Sequence, residues 1–402
     1  MAEHILDFLK SRGYIKQAVY EEELYAELDG KSIPFYVGFD PTADSLHVGH
    51  FLALMAMGHL QRAGHKPIVL VGGGTAMVGD PSGRQDMRGM MTKKTIEHNS
   101  ACFQEQMSKF FSFEGDNAAI MVNNADWLLG LNYVNFIRDI GIHFSVNRML
   151  TAECFKARME KGLSFLEFNY MLMQAYDYLH LYKTYNCLLQ CGGDDQWSNI
   201  LAGADLIRRK EGVTAYALTF SLLTTSEGAK MGKTAKGALW LNKKKTPVYD
   251  FYQYFRNVKD EDVENCLKLL TYIDLKEIAN LVRYKDQRIN LAKERLAFEV
   301  TAIVHGVAEA TLAQQKTKGA FGNGAIMPTK KIKGNTLLIY EILADTGVAP
   351  SRSEAKRLIL SGAVKVNEDK ITNIDATITQ EQLEQGFDLH KGKKVHLRIE
   401  KE

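Results

Sequence analysis

The residues best suited to chemistry lie in Tyr36-Val-Gly-Phe-Asp-Pro-Thr-Ala-Asp-Ser-Leu-His-Val-Gly-His50. Phe35, Tyr36, Val37 and Phe39 favour a strand, the chain turns through Asp40-Pro41-Thr42, and an apolar helix follows over residues 46–63. His47 and His50 bracket Gly49 at the start of that helix. A helix N-terminus offers unpaired N–H groups and the positive end of a dipole, which suits phosphate. Gly49 removes a side chain where a nucleotide would lie close to the backbone. Imidazoles at 47 and 50 can donate hydrogen bonds to charge developing on a phosphoryl group. Alone, His-x-Gly-His also reads as a helix cap with two surface histidines.

Four further clusters bear on the choice. Gly79-Asp-Pro-Ser-Gly-Arg84 follows an apolar strand; it reads as a turn or as a loop lining a ligand crevice, where Asp80 would accept from an ammonium. Tyr170, Gln174 and Asp177 are spaced i, i+4, i+7, one face of a helix, and the stripe holds no Lys or Arg. That is a wall able to read a zwitterion and a hydroxyl, or an interfacial helix with polar tips. Gly192-Gly193-Asp194-Asp195-Gln196-Trp197 combines paired glycines with groups that can hold ribose hydroxyls or an amino acid. Lys230-Met-Gly232-Lys233-Thr234 places two ammonium groups on a turn-rich, mobile loop, suited to a leaving pyrophosphate or simply to solvent. It lacks the spacing of a Walker loop.

Residues 1–225 alternate strand-like and helix-like segments, with strands near 35–39, 68–74, 117–124 and 187–193. This predicts a doubly wound α/β domain with a parallel sheet. A Met-, Phe- and Tyr-rich helical insertion at 127–182 would supply core or a subunit interface. Residues 226–325 carry the lysine loop and then helices near 250–256, 261–272, 275–283 and 290–312, the first capped by Thr246 with Pro247 in its first turn. A linker is expected at 326–335 and a small α+β domain at 336–402.

The chain has 402 residues, 46% of them hydrophobic and 24% charged, enough for two or three domains. A net charge of +2 excludes a global polycation, so any nucleic-acid surface is local. No apolar run reaches a membrane span, and no charged-then-apolar leader is seen. The five cysteines lack Cys-x-x-Cys pairs, which suits a reducing cytoplasm. Cys187 and Cys191 read as small apolar residues of a buried strand, and no complete metal-ligand set is seen.

His47-Val-Gly-His50 followed by Lys230-Met-Gly-Lys-Thr234 resembles the signature pair of class I aminoacyl-tRNA synthetases. With Gly-Asp-Pro-Ser-Gly, the Tyr170/Gln174/Asp177 stripe and Gly-Gly-Asp-Asp-Gln-Trp between them, the chain is similar to the bacterial-type tyrosyl-tRNA synthetases over nearly its whole length. The resemblance implies a Rossmann-like catalytic domain, a helical tRNA-binding domain and a small RNA-binding domain. It implies activation of L-tyrosine by ATP with Mg2+, then transfer to tRNA(Tyr), in a homodimer. It places Tyr36 and Asp177 on the phenol hydroxyl, and Asp80, Tyr170 and Gln174 on the ammonium. Asp40, Gly193, Asp195 and Gln196 would contact tyrosine or the adenylate ribose. Thr42, His47 and His50 would hold the ATP phosphates, and Lys230, Lys233 and Thr234 the departing pyrophosphate. Arg84 and Arg88 match a basic pair on a mobile loop. Val37 and Asp194 stand where smaller residues are common, and Asp194 adds a charge near the expected ribose site.

In the tail, the helix after Ser351 or Ser353 carries Arg352, Lys356 and Arg357, Gly362 ends it, and Val364-Lys-Val-Asn opens a hairpin. The segment is similar to an RNA-binding module of a ribosomal protein; its charge alone is balanced. Three rival readings share parts of the pattern. A tryptophanyl enzyme would not need the Tyr36/Asp177 pair, and a small-molecule nucleotidylyltransferase would not need the lysine loop. A non-catalytic RNA-binding derivative would have lost signature residues.

Overall fold

A computed structural model of the chain describes residues 3–82, 92–160, 162–234, 237–284, 286–321, 329–332, 337–367, 369–392 and 395–401. The chain divides into two compact units, Met1–Ala310 and Thr311–Glu402.

The first unit is built on a six-stranded sheet. Its strands are β1 (Ile15–Val19), β2 (Pro34–Phe39), β3 (Lys66–Val71), β4 (Ile120–Asn123), β5 (Leu189–Gly193) and β6 (Tyr216–Phe220). Their spatial order is β1-β6-β5-β2-β3-β4. Five strands run parallel and β1 pairs antiparallel with β6 at the edge. Parallel strands covered by helices are apolar on both faces, and β3 is buried at every position from Pro67 to Val71. The order reverses between β2 and β5, so a crevice opens beyond their carboxyl ends. Each predicted strand appears within two or three residues of its expected limits. The helix Val48–Arg62 returns the chain from β2 to β3 and buries Phe51, Leu52, Leu54 and Met55. Helix Phe165–Tyr185 starts at a capping box formed by Ser164 and Glu167 and returns the chain towards β5.

Helices also form over Val248–Arg256, Val263–Leu270, Leu275–Leu281 and Ile289–His305, within the same compact unit. Two details differ from expectation. Thr246 does not cap the first of these: its hydroxyl accepts from the Trp240 N–H, and Pro247 is the N-cap. The helix expected over 290–312 is broken at Gly306, which adopts φ +90 and ψ 156, so a second helix begins at Val307. Arg12, at the end of helix Ile5–Arg12, is 2% exposed. Its guanidinium donates to the carbonyls of Leu267, Lys268, Thr271 and Ile273, the unpaired C-terminal groups of helix Val263–Leu270 and the turn after it.

Strands β7 (Lys233–Thr234) and β8 (Gly237–Ala238) form a small antiparallel pair. The second unit holds β9 (Thr329–Ile332), β10 (Val364–Val366), β11 (Asp369–Ile371), β12 (Phe387–Lys391) and β13 (Val395–Lys401) in the order β11-β10-β12-β13-β9. Residues 329–332, inside the segment expected to be a linker, therefore belong to a sheet, paired parallel with β13. The adjacent Lys330 and Lys331 make this segment read as polar coil in the sequence. Helix Arg352–Leu360 is capped by Ser351, whose hydroxyl accepts from the Glu354 N–H. Gly362 (φ +69) ends it, and β10–β11 form the expected hairpin. Ile339, Ile342, Leu343, Ile359, Phe387 and Ile399 make the core of this unit.

Candidate active site

The crevice at the switch in strand order contains a cavity of about 380 Å3, of the size expected for small-molecule sites. Tyr36, Asp40, Thr42, His47, Gly49, His50, Asp80, Tyr170, Gln174, Asp177, Gly193, Asp195, Gln196 and Lys230 all line it. The side chains of Lys233 and Thr234, and the whole of Arg84 and Arg88, lie outside the described residues.

The floor is dry. Tyr36 projects from β2 and is fully buried, edge-on to Tyr178 with ring centroids 5.2 Å apart. Its hydroxyl has no hydrogen-bond partner among the described residues, and burial pushes its pKa well up. Asp177 is 1% exposed. Its Oδ1 accepts from the Trp127 indole N–H at 2.7 Å and its Oδ2 from the Asn124 amide at 2.9 Å. Burial raises the Asp177 carboxyl to about 7, against the pull of those two donors. Asn124 is fixed in turn: its Oδ1 accepts from the Gly74 N–H and its Nδ2 also reaches Thr75 Oγ1. The Thr75 hydroxyl donates onward to Asp40 Oδ1 at 3.3 Å. A continuous line of polar groups thus joins Trp127, Asp177, Asn124, Thr75 and Asp40. Gln190, on β5 opposite Tyr36, adds a buried Oε1 without a partner.

Asn124, Trp127, Thr75 and Gln190 were not foreseen from the sequence. One signal pointed to Asn124: it follows the carboxyl end of β4, where such sheets bind ligands. Tyr170, Gln174 and Asp177 share one face of helix Phe165–Tyr185, as their spacing implied.

The middle of the cavity is a hydrogen-bonded carboxylate set. Asp80 Oδ1 accepts from the Ser82 N–H and Oδ2 from Gln196 Nε2, both at 2.8 Å. Asn199 Nδ2 donates to Gln196 Oε1 and to Ser82 Oγ. Asp195 stands beside Lys230; burial raises its carboxyl pKa and the lysine charge opposes that rise. Asp194, expected to add charge at this point, turns the other way. Its Oδ1 accepts from Gln17 Nε2 at 2.6 Å and from Thr219 Oγ1 at 2.9 Å, and it does not line the cavity.

The rim is half-exposed and held by backbone. His47 is the N-cap of helix Val48–Arg62; its Nδ1 accepts from the Gly49 N–H at 3.0 Å, while its own N–H donates to His50 Nδ1 at 3.2 Å. With each Nδ1 an acceptor, each ring has Nε2 as its donor. The rings stack with centroids 4.0 Å apart, and burial pushes the His47 pKa down, keeping it neutral at pH 7. Gly49 lines the cavity, yet a Cβ there would sit 2.8 Å from His47 Cε1. The glycine therefore makes room for the capping imidazole as well as lining the cavity.

The lysine loop is tied to this helix start. The Val48 N–H donates to the Leu239 carbonyl, and the Leu239 N–H donates to the Gly232 carbonyl. The Gly232 N–H donates to the Tyr254 hydroxyl. Gly232 has φ +80, and a Cβ there would approach Val48 Cβ to 2.9 Å. Two motifs about 180 residues apart are thus packed together, Gly232 against Val48, and bridged through the Leu239 backbone.

Comparison with known proteins agrees with this geometry. The family model for class I tRNA synthetases (W and Y) matches residues 28–322, and that for the tyrosine–tRNA ligase SYY-like C-terminal domain matches 320–399. A tyrosine–tRNA ligase of Acetivibrio thermocellus is 57% identical over 98% of both chains. One of Clostridium tetani is 54% identical over 99% of both. Among solved structures, a C-terminally truncated mitochondrial tyrosyl-tRNA synthetase of Aspergillus nidulans superposes with a TM-score of 0.70 at 29% identity, covering 79% of this chain and 94% of that one. With its buried Tyr36/Asp177 floor, paired imidazoles and Lys230 in one crevice, the chain belongs to the class I tRNA synthetases of the W and Y group, among the tyrosine–tRNA ligases.

Proposed function

We propose that this chain activates L-tyrosine with ATP and transfers it to the 3′ end of tRNA(Tyr). The observation that carries the reading is the buried Tyr36 hydroxyl beside the clamped Asp177 carboxyl, in the same cavity as His47, His50 and Lys230. A phenol entering the floor donates to the Asp177 carboxylate and accepts from Tyr36, satisfying groups that an indole or a phenyl ring leaves unpaired. By the same logic tyrosyl-tRNA synthetases as a class reject phenylalanine by about 10⁵-fold. Asp80, Tyr170 and Gln174 hold the substrate ammonium, Gln196 beside Asp80 also contacts tyrosine, and Asp40, Gly193 and Asp195 contact the adenylate ribose.

The tyrosine carboxylate attacks the α-phosphorus of MgATP in line, the bond to the β-phosphate oxygen breaks, and pyrophosphate leaves. The nucleophile is already an anion, so no enzyme base is required. Catalysis comes from positioning and charge stabilisation. The Nε2–H groups of His47 and His50 face the phosphates with Thr42, and Lys230, Lys233 and Thr234 take up the charge on pyrophosphate. In the second step a hydroxyl of the terminal tRNA ribose attacks the carbonyl carbon and AMP leaves. Magnesium arrives with ATP as part of the substrate.

The remaining surfaces suit a cytoplasmic homodimer. No helix among the described residues is long and apolar enough to cross a membrane. Leu129, Tyr133, Val134, Ile142 and Val146, from one short stretch of the helical insertion, are all more than half exposed. An apolar cluster of this kind marks a protein contact, and a second copy of the chain is its proposed occupant. Arg352, Lys356 and Arg357 on the helix of the second unit would meet the tRNA backbone. The deciding experiment is tyrosine-, tryptophan- and phenylalanine-dependent exchange of labelled pyrophosphate into ATP. Exchange with tyrosine is expected; exchange with tryptophan instead would overturn the assignment.

A further inference from the structure

Asp194 sits next to the proposed ribose ligand Asp195 but faces the opposite way, and its partners explain why. Thr219 on β6 pairs with Gln17 on β1 on one side and with Gly192 on β5 on the other. Side chains in such a row share a face of the sheet, and Asp194, two residues beyond Gly192, continues that face. A single oxygen, Asp194 Oδ1, accepts from both Gln17 and Thr219. Thr219 is fully buried, so this anchor is rigid. The short 3₁₀ turn Asp194–Gln196 that it begins has no side-chain cap at Gly193, and its far end is held by Gln196 on Asp80. Asp195 lies between the two fixed points. A Cβ on Gly193 would sit only 2.7 Å from Asp195 Oδ1, so the carboxylate folds back over the glycine at the start of the turn, and its aim depends on where that turn is held.

We propose that Asp194, through Gln17 and Thr219, is a positioning residue that aims the Asp195 carboxylate at the ribose of ATP and makes the edge strand β1 part of the nucleotide site. The inference rests on the reading of Asp195 as a ribose ligand. Its first consequence is selective. The tyrosine floor is braced by Asn124 and Trp127, and the turn meets the tyrosine site only at its far end, where Gln196 is held on Asp80, so losing the anchor at Asp194 weakens ATP binding more than tyrosine binding. Its second is chemical. The anchor needs an acceptor oxygen, not a charge, so asparagine at 194 preserves it.

The test is steady-state exchange with the full-length protein carrying Asp194→Ala, Asp194→Asn or Gln17→Ala, with tyrosine affinity measured by equilibrium dialysis. Asp194→Ala is expected to raise KM for ATP about tenfold, the effect of losing a hydrogen bond to a charged group. The tyrosine Kd should stay within about twofold. The preference for ATP over 2′-deoxy- and 3′-deoxy-ATP should shrink by a similar factor. Asp194→Asn should restore both. Gln17→Ala, on an edge strand, should move them the same way by less, and the double variant Gln17→Ala/Asp194→Ala should be no worse than Asp194→Ala. Asp195→Ala separates the two levels. If it leaves KM for ATP unchanged, the ribose reading fails; if it raises KM while Asp194→Ala does not, only the anchor fails. An asparagine variant as impaired as alanine, or equal losses for tyrosine and ATP, would also overturn the anchor.

Discussion

The two ends of the cavity solve different problems by different means. At the floor, Tyr36 and Asp177 are fully buried, and the partners of Asp177 are side chains: the Trp127 indole and the Asn124 amide, with the Thr75 hydroxyl beyond it. At the rim, His47, His50 and Gly232 are only partly covered or belong to a loop, and their partners are largely backbone N–H and C=O groups. The floor holds polar groups at a desolvation cost, so it can discriminate, because an unpaired group there is expensive. The rim offers preorganised donors without full burial, so it can stabilise charge that appears only in the transition state. Specificity is stored where water is excluded, and rate where ligand phosphates must come and go.

This contrast can be broken in four places. Asp177→Ala should have the largest effect, leaving the Trp127 and Asn124 donors unpaired and lowering kcat/KM for tyrosine by roughly 10³-fold or more; rates with tyrosine and phenylalanine measured side by side check it, and retained preference for tyrosine would show that the floor does not discriminate. His50→Ala should lower single-turnover adenylate formation by about 10²–10³-fold with tyrosine Kd within about twofold. Comparable losses in binding would make the rim a ground-state site.

The third test is pH. Because the Asp177 carboxyl titrates at about 7 and the phenol needs the carboxylate, KM for tyrosine should rise as pH falls below 7, approaching about tenfold per unit well below it. Asn124→Ala removes a donor that favours the carboxylate, so the midpoint should move up. The linked stability effect has the opposite sense: this pKa is higher folded than unfolded, so the group's contribution is complete below about pH 4 and lost as pH rises through 7. Urea unfolding from pH 4 to 8 with and without tyrosine reads both. The smallest effect is expected at Gly232→Ala, which pushes against Val48 from a left-handed backbone. Exchange should slow about tenfold, and added Val48→Ala should recover part of it by opening space.

Much of this was legible in the sequence because it follows from local spacing. Tyr170, Gln174 and Asp177 fall on one helical face whatever surrounds the helix, and the strands declared themselves as short apolar runs. The clamp on Asp177 was not legible, because Asn124 and Trp127 reach it from about fifty positions away. Proximity to a motif misled at Asp194, where strand alternation, not sequence adjacency, decides which way the carboxylate faces. That Gly49 also leaves room for the ring of His47 was not legible, because it depends on how that imidazole folds back to cap the helix. Strand β9 was missed because its lysines hide a pairing made with the far end of the chain.

The buried guanidinium of Arg12 also bears on how the chain is made. Its acceptors lie 255 to 261 residues further along the chain. At typical synthesis rates of about 5–20 residues per second, roughly 13–50 s separate the translation of this arginine from that of its first carbonyl partner. For all that time the opening helix has a cation it cannot bury. Helix Ile5–Arg12 is therefore made long before the segment whose carbonyls receive its last residue, and Arg12 reaches its buried seat only once that segment has been made.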